Sequence, residues 1–310
     1  MIAERPAAGL ESAATFPCFG SECTVSVAGP ADAAAGAVAR CRHQLLQWHA
    51  QFSRFTPDSE ITRLNDDPGT SVQVSPLMRR LLQAAVRAAH DTGGLVDPTL
   101  VGEIEAAGYA RHFEGSGIPL HQALRLAPPR TPGHGRAGTA WRKVSADRRT
   151  STVTRPPGVR LDPGGIAKGV FADELAASLS SFAAFVIDCA GDLRLGGVSG
   201  IQRPVHVASP FDESVLHTFA LCSAGVATSG IARRSWMRDG RPAHHLLDPA
   251  KGTPAFTGVV QATALAPNAT EAEALSKAAL LSGPEAADGW LPHGGVIVFD
   301  DGSHRVVQSN

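Results

Sequence analysis

Residues 161–197, LDPGGIAKGVFADELAASLSSFAAFVIDCAGDLRLGG, decide the fold class. A glycine turn at Gly164-Gly165 feeds a helix predicted from roughly Ile166 to Ser181. Two apolar runs, AFVIDCA (184–190) and DLRLGG (192–197), follow at once and read as strands. More strand-like runs come after them: RPVHVAS (203–209), HTFALC (217–222), VVQATALA (259–266) and GGVIVFD (294–300), with one helix, EAEALSKAALL (271–281), among them. Strands in succession with helices inserted singly predict an α+β fold of mixed or antiparallel sheets with flanking helices, rather than regular βαβ winding.

Working outward toward the N-terminus, FPCFGSECTVSVA (16–28) alternates apolar and polar residues through Cys23, Val25 and Val27, a strand pattern. From Asp32, Val38, Cys41, Leu45, Trp48 and Phe52 recur at three- and four-residue spacing, which predicts a long amphipathic helix. Ser75-Pro76 opens a second helix, ending near Asp91 because Gly93-Gly94 stops it. WRKVSADRRTSTV (141–153) reads as a hairpin. The stretch from about 122 to 140, containing APPRTPGHGRAG, is turn-forming and predicts an exposed loop or linker and the best internal boundary. The expected organisation is a flexible N-terminus over 1–15 and a single domain over 16–310, within which helix-plus-sheet segments on both sides of the loop permit two related lobes.

Composition excludes several functions. Lys+Arg 28 against Asp+Glu 29 leaves a formal charge of −1, so no basic field exists to hold nucleic acid or an anionic membrane. The five cysteines, Cys18, Cys23, Cys41, Cys189 and Cys222, are odd in number and scattered, and read as reduced, mostly buried thiols. The N-terminus lacks the apolar run of a signal peptide, and no window approaches the ~18 apolar residues of a membrane span. The expectation is a cytoplasmic protein with no integral membrane segment.

Three stretches carry chemistry. Asp162-Pro163-Gly164-Gly165-Ile166-Ala167-Lys168-Gly169 offers close backbone approach, a helix start and one lysine, which suits a phosphate or diphosphate; it equally suits a helix whose entry turn merely needs glycines. It is neither a Walker A motif nor GxGxxG. Thr228 and Ser229, at the end of VATSG (226–230), could line a groove or form an ordinary strand-to-turn transition. His244-His245 with Asp248 supplies a candidate base or a structural histidine. Ser229, His245 and Asp248 would compose a hydrolase triad, but there is no GxSxG elbow.

Taken in order, these stretches resemble the ApbE family. The matching blocks are Gly20-Ser21; Phe52-Ser53-Arg54-Phe55 with Asp58-Ser59-Glu60-Ile61 and Arg63-Leu64-Asn65; Gly94-Leu95-Val96-Asp97-Pro98-Thr99; and Leu161-Asp162 with Gly164 to Gly169 and Asp173. They continue through Asp188 to Asp192, Ala227-Thr228-Ser229-Gly230, His245 to Pro249 with Gly252, and Ala272-Glu273-Ala274-Leu275. The resemblance implies an α+β fold that binds FAD with a divalent cation, usually Mg²⁺, and transfers FMN to a hydroxyl of an acceptor protein, typically a threonine or serine, releasing AMP. It implies that Phe19, Phe55, Leu95, Val96, Asp97, Asp162, Lys168 and Leu247 hold the flavin and its diphosphate, with Thr228 added here as a hydroxyl beside them. It implies His245 as base, with His244 left open, and metal ligands at the Gly165 carbonyl, Glu273 and Lys277.

The departures matter. Glu273 stands where the family has aspartate, and Lys277 where it has threonine; an ammonium has no lone pair for a metal. Three arrangements stay open: Glu273 ligates with Ser276 supplying the oxygen, Lys277 turns away, or the charge of Lys277 replaces the ion. A solvated helix with an i, i+4 Glu–Lys pair is the plain alternative. Phe19 replaces methionine, Pro163 an aliphatic residue, and Asp188-Cys189-Ala190-Gly191 a typical Asn-Ala-Gly-Gly. Two other activities share such a site: an FAD pyrophosphatase yielding FMN and AMP, and a flavin-binding protein without catalysis.

Overall fold

The computed structural model describes residues 11–113 and 117–309. Its centre is one eight-stranded sheet in the order Glu11–Cys18, Ser21–Ala28, Ala184–Cys189, Asp192–Gly196, Ala224–Gly230, Val259–Ala266, Gly295–Phe299 and His304–Val307. Every neighbouring pair is antiparallel, so the α+β expectation holds and the sheet is antiparallel rather than mixed. Seven helices are described: α1 (Ala31–Phe52), α2 (Glu60–Asp66), α3 (Pro76–Asp91), α4 (Val101–Ala106), α5 (Leu120–Leu126), α6 (Ala167–Leu179) and α7 (Ala269–Ser282).

The stretch 16–28 is not one strand. The chain reverses at Phe19-Gly20, where φ is +55° and +73°, and Cys18 pairs with Ser21. Alternation continues on both sides of the reversal, and phenylalanine is an unusual left-handed turn residue, so the pattern hid the hairpin. Its first strand starts at Glu11, which corrects the flexible 1–15 segment for residues 11–15; residues 1–10 lie outside the described residues. Glu11 is tied down by Ser26 and by Arg203, at 2.8 Å from the guanidinium.

The helices follow their local signals. α1 buries Ala34, Ala37, Val38, Cys41, Leu45 and Phe52, one face at helical spacing. The Ser75 hydroxyl caps α3 by accepting from the Met78 N–H at 3.1 Å, and Gly93 and Gly94 end it with φ of +60° and +87°. α6 is preceded by a 3-10 turn, Pro163–Gly165.

Two main hydrophobic clusters share this sheet. One is built on α1, α3, α6 and the 11–28 hairpin, the other on the strands 259–266 and 295–299 with the C-terminal half of α7. The stretch 122–140 is a largely exposed loop after its first turn, as expected, but no linker. Its first residues belong to α5, and the coil after it is strapped to the body: Thr131 N–H donates to the Phe256 carbonyl at 3.0 Å, Gly133 N–H to Leu281 at 2.7 Å, and His134 accepts from Ala250 at 2.9 Å. Gly135 lies so close to Gly93 that a Cβ there would sit 2.1 Å from the Gly93 carbonyl oxygen. The hairpin predicted over 141–153 forms only in its later part, pairing Ser145–Ala146 with Thr152–Thr154, while Ala140–Lys143 is a 3-10 turn.

Candidate functional site

A cleft of about 810 Å³ opens where the 19–20 turn, the end of α1, the segment 95–97, the turn 162–168, the end of strand 224–230 and the segment 245–247 converge on one face of α7. Phe19, Phe55, Leu95, Val96, Asp97, Asp162, Gly165, Lys168, Thr228, His245, Leu247, Glu273 and Lys277 all line it. These residues span most of the chain, and the fold brings them together.

The 162–169 turn is held from three directions. Asn65 brackets Leu161, donating to its carbonyl at 2.9 Å and accepting from its N–H at 2.7 Å, while Asp162 N–H donates to Pro98 at 2.8 Å. The Asp162 carboxylate accepts from Gly164 N–H at 2.8 Å and faces the Arg54 guanidinium at 2.9 Å. Arg54 itself lies over the Phe55 ring at 4.2 Å and the Tyr109 ring at 5.0 Å, and donates to the Tyr109 carbonyl at 2.7 Å. It is a cleft residue that sequence reasoning quoted in a block without a role.

The aromatic wall suits a flat ring. Phe19 stacks on Phe171 at 5.7 Å, and Phe55 meets Tyr109 edge-on at 5.3 Å. Asp97, also on the cleft, accepts both the N–H and the hydroxyl of Thr99 on Oδ1, at 2.8 and 2.6 Å, whereas its buried Oδ2 has no partner. Burial holds this carboxyl above the usual range. A buried acceptor left open on a ligand-sized cleft fits an N–H or O–H group of a bound molecule.

Beneath the turn sits a cluster of four charged side chains. The Lys168 ammonium pairs with Asp192, which is 1 % exposed, and stands 3.9 Å from Glu273 Oε1. Lys277 donates to the same Oε1 at 3.0 Å, and Glu273 Oε2 accepts from Gly169 N–H at 2.9 Å. The last contact needs a glycine, because a Cβ at 169 would lie 2.6 Å from the Ala269 carbonyl. It also means that the start of α6 is not an open anion cradle, since one of its N–H groups is already bonded. Desolvation works to depress Lys168, but Asp192 and Glu273 hold it above its ordinary value; burial pushes Glu273 up to about 7. Asp192, which sequence reasoning passed over as an end of a block, is the partner of the turn's lysine.

The divalent cation implied by the resemblance does not fit this cluster. Both carboxylates are engaged by ammonium groups, and among the described residues no group of three or more His, Cys, Asp or Glu side chains could hold a metal. Ser276 corrects the proposed ligand set. It is fully buried off the cleft, its hydroxyl sharing a 2.8 Å hydrogen bond with Ser229 and donating to the Glu273 carbonyl at 3.1 Å. Ser276, three residues on from Glu273, is close to the same helix face, but its side chain meets Ser229 of the strand behind α7, whereas Glu273 and Lys277 both line the cleft.

The two histidines separate by one step of extended chain. His244 is 1 % exposed, packs edge-on against Phe256 at 4.8 Å, and accepts Leu246 N–H on Nδ1 at 3.3 Å. His245 lines the cleft, half-buried, 6.4 Å from the Tyr109 ring, with Nδ1 unpartnered. The hydrolase triad is not assembled: the Asp248 carboxylate accepts from His134 and Ala250 N–H groups, both at 3.1 Å, and Ser229 is held by Ser276. Thr228 shares a 2.8 Å hydrogen bond with Thr263 across the sheet.

Burial lowers His244 from 6.5 to about 4. Between these values the unfolded chain takes up a proton that the folded chain refuses, so stability falls as the pH falls through this window, by about 3 kcal/mol in full. Asp188 and Glu273, raised by burial to about 6 and about 7, act in the opposite sense. The share of the histidine is therefore read as the difference between wild type and His244→Asn, which keeps an acceptor near Nδ1. That difference in urea-derived stability is expected to move by about 3 kcal/mol against the wild type from pH 7 to pH 4. Parallel pH profiles would refute it.

Known proteins resemble this chain over most of its length. The model of the ApbE family matches residues 19–299. A curated relative from Treponema pallidum, FAD:protein FMN transferase, is 29 % identical over 259 residues, covering 78 % of this chain and 70 % of that protein. The protein of the same name from Escherichia coli K12 is 25 % identical over 256 residues, covering 80 % and 71 %. Among solved structures, the ApbE protein of Thermotoga maritima superposes with a TM-score of 0.78 at 26 % identity, covering 97 % of each chain. The Pseudomonas stutzeri flavinyl transferase ApbE in apo form shares the fold, with a TM-score of 0.75 at 24 % identity over 96 % of this chain and 94 % of that one.

Proposed function

From the premise that this chain belongs to the ApbE family, we infer that it is an FAD:protein FMN transferase. The observation that carries this reading is the composition of the cleft: aromatic rings and the open Asp97 oxygen at one part, the Lys168 and Lys277 ammonium groups beneath a glycine turn at another, and the His245 ring beside them. A dinucleotide with a flat ring system and a diphosphate has complementary parts.

The reaction we propose is an in-line displacement. The hydroxyl oxygen of an acceptor threonine or serine attacks the phosphorus on the FMN side of the FAD diphosphate. An oxygen–phosphorus bond forms, the bond from that phosphorus to the bridging oxygen breaks, and AMP leaves with the bridging oxygen. The hydroxyl proton passes to the imidazole of His245. Burial, followed by the positive charges of Arg234 and Lys277, holds His245 well below 6.5, so the ring is neutral and able to accept a proton at neutral pH. Lys168 and Lys277 face the charge that develops on the phosphoryl oxygens.

Incubation with FAD and an acceptor protein carrying an exposed threonine is expected to release AMP and raise the acceptor's mass by one FMN phosphodiester. AMP and free FMN without any mass change would identify a pyrophosphatase, and FAD bound without AMP would identify a binding protein. No helix among the described residues is long and apolar enough to cross a membrane.

A further inference from the structure

We propose that the Lys277 ammonium takes the place of a divalent cation in this protein, so that FAD is bound and its diphosphate neutralised without metal. The inference rests on the flavin-transferase reading of the cleft and adds how its charge is supplied.

Four observations carry it. Lys277 Nζ lies 3.0 Å from Glu273 Oε1, and its Cε is 3.9 Å from the point where a Cβ on Gly165 would stand, so the ammonium is held at the mouth of the glycine turn. Its side chain is only 14 % exposed, hence fixed rather than waving in solvent. Glu273 has no oxygen to spare: Oε1 takes Lys277, with Lys168 at 3.9 Å, and Oε2 takes Gly169 N–H. Asp192, the other acidic group in the cluster, is occupied by Lys168.

A small hard cation bound to Glu273 would sit ~2.1 Å from its oxygen and therefore within a few ångströms of two ammonium groups, in a partly dry site where like charges repel strongly. It would also need several further oxygen ligands, and the neighbouring residue that could have offered a hydroxyl, Ser276, is turned into the core. The same position filled by an ammonium has no such conflict. Lysine keeps its carboxylate partner and still has two N–H groups to direct at phosphate oxygens. Lys277 then stands beside Lys168 with a second fixed ammonium facing the diphosphate, at a position where the resemblance puts a ligand of the ion.

The test is FAD titration followed by flavin fluorescence, first in EDTA and then with millimolar Mg²⁺. Equal affinity in the two conditions is expected. Lys277→Arg should bind FAD independently of metal as well, whereas Lys277→Met should bind FAD about 10- to 100-fold more weakly, with no recovery in Mg²⁺. Lys277→Thr, which removes the charge and returns an oxygen donor, should make FAD affinity depend on Mg²⁺. Wild-type affinity that collapses in EDTA and returns with Mg²⁺ overturns the proposal and leaves the transferase reading intact. An unchanged affinity in a folded Lys277→Met overturns it too. Absence of FAD binding in every condition overturns both.

Discussion

Replacing His245 by alanine is expected to leave FAD bound while slowing AMP release and acceptor labelling by about 10²–10⁴-fold, the usual worth of a positioned general base. The attacking hydroxyl is a weak nucleophile and must lose its proton as the bond to phosphorus forms. His245 is the histidine of the pair that lines the cleft. His244 is walled in against Phe256, so His244→Asn should alter stability and leave the labelling rate within a few-fold of wild type. The pH dependence should carry the same signature. The neutral ring is the active form, and its pKa lies well below 6.5, so the acid limb of the rate profile should fall below the ordinary histidine range rather than centre on it. Measurement of single-turnover labelling against pH decides this. Normal turnover by His245→Ala would move the base elsewhere.

The second large effect is on folding. The resemblance implies Lys168 as a ligand of the diphosphate, and the structure pairs it in addition with Asp192, a carboxylate 1 % exposed within the central sheet. Lys168→Met is therefore expected to lower stability by about 3–5 kcal/mol, the cost of leaving a buried charge without its partner. Removing both charges in Lys168→Met with Asp192→Asn should recover most of that loss, because no ion is then stranded. FAD affinity should stay weakened in the double variant, since the phosphate contact is absent in both. Urea denaturation and FAD titration on the three proteins separate the two roles of this lysine. A single variant that unfolds at the wild-type midpoint would show that Asp192 does not depend on Lys168.

Much of the site was legible because the signals behind it are local. A glycine pair before a helix, a serine cap ahead of Pro76 and a glutamate four residues before a lysine each act within a turn or two of chain. Sequence alone therefore determined the helices α1, α3, α6 and α7 and most strands of the central sheet, though not the first, Glu11–Cys18, or the last, His304–Val307. What it could not decide depends on which residues meet across long separations. The pairing of Lys168 with Asp192, the bracketing of Leu161 by Asn65, the strap over 127–139 and the hairpin turn hidden at Phe19 are set by packing between distant elements. So is the choice between His244 and His245, which differ by one residue and carry the same side chain; only the position of Phe256 behind one of them makes the other the cleft histidine. Ser276 and Lys277 are likewise adjacent in sequence, and the helix rotation that buries the first and presents the second takes effect only once strand 224–230 is packed against α7, because an isolated helix has no inside.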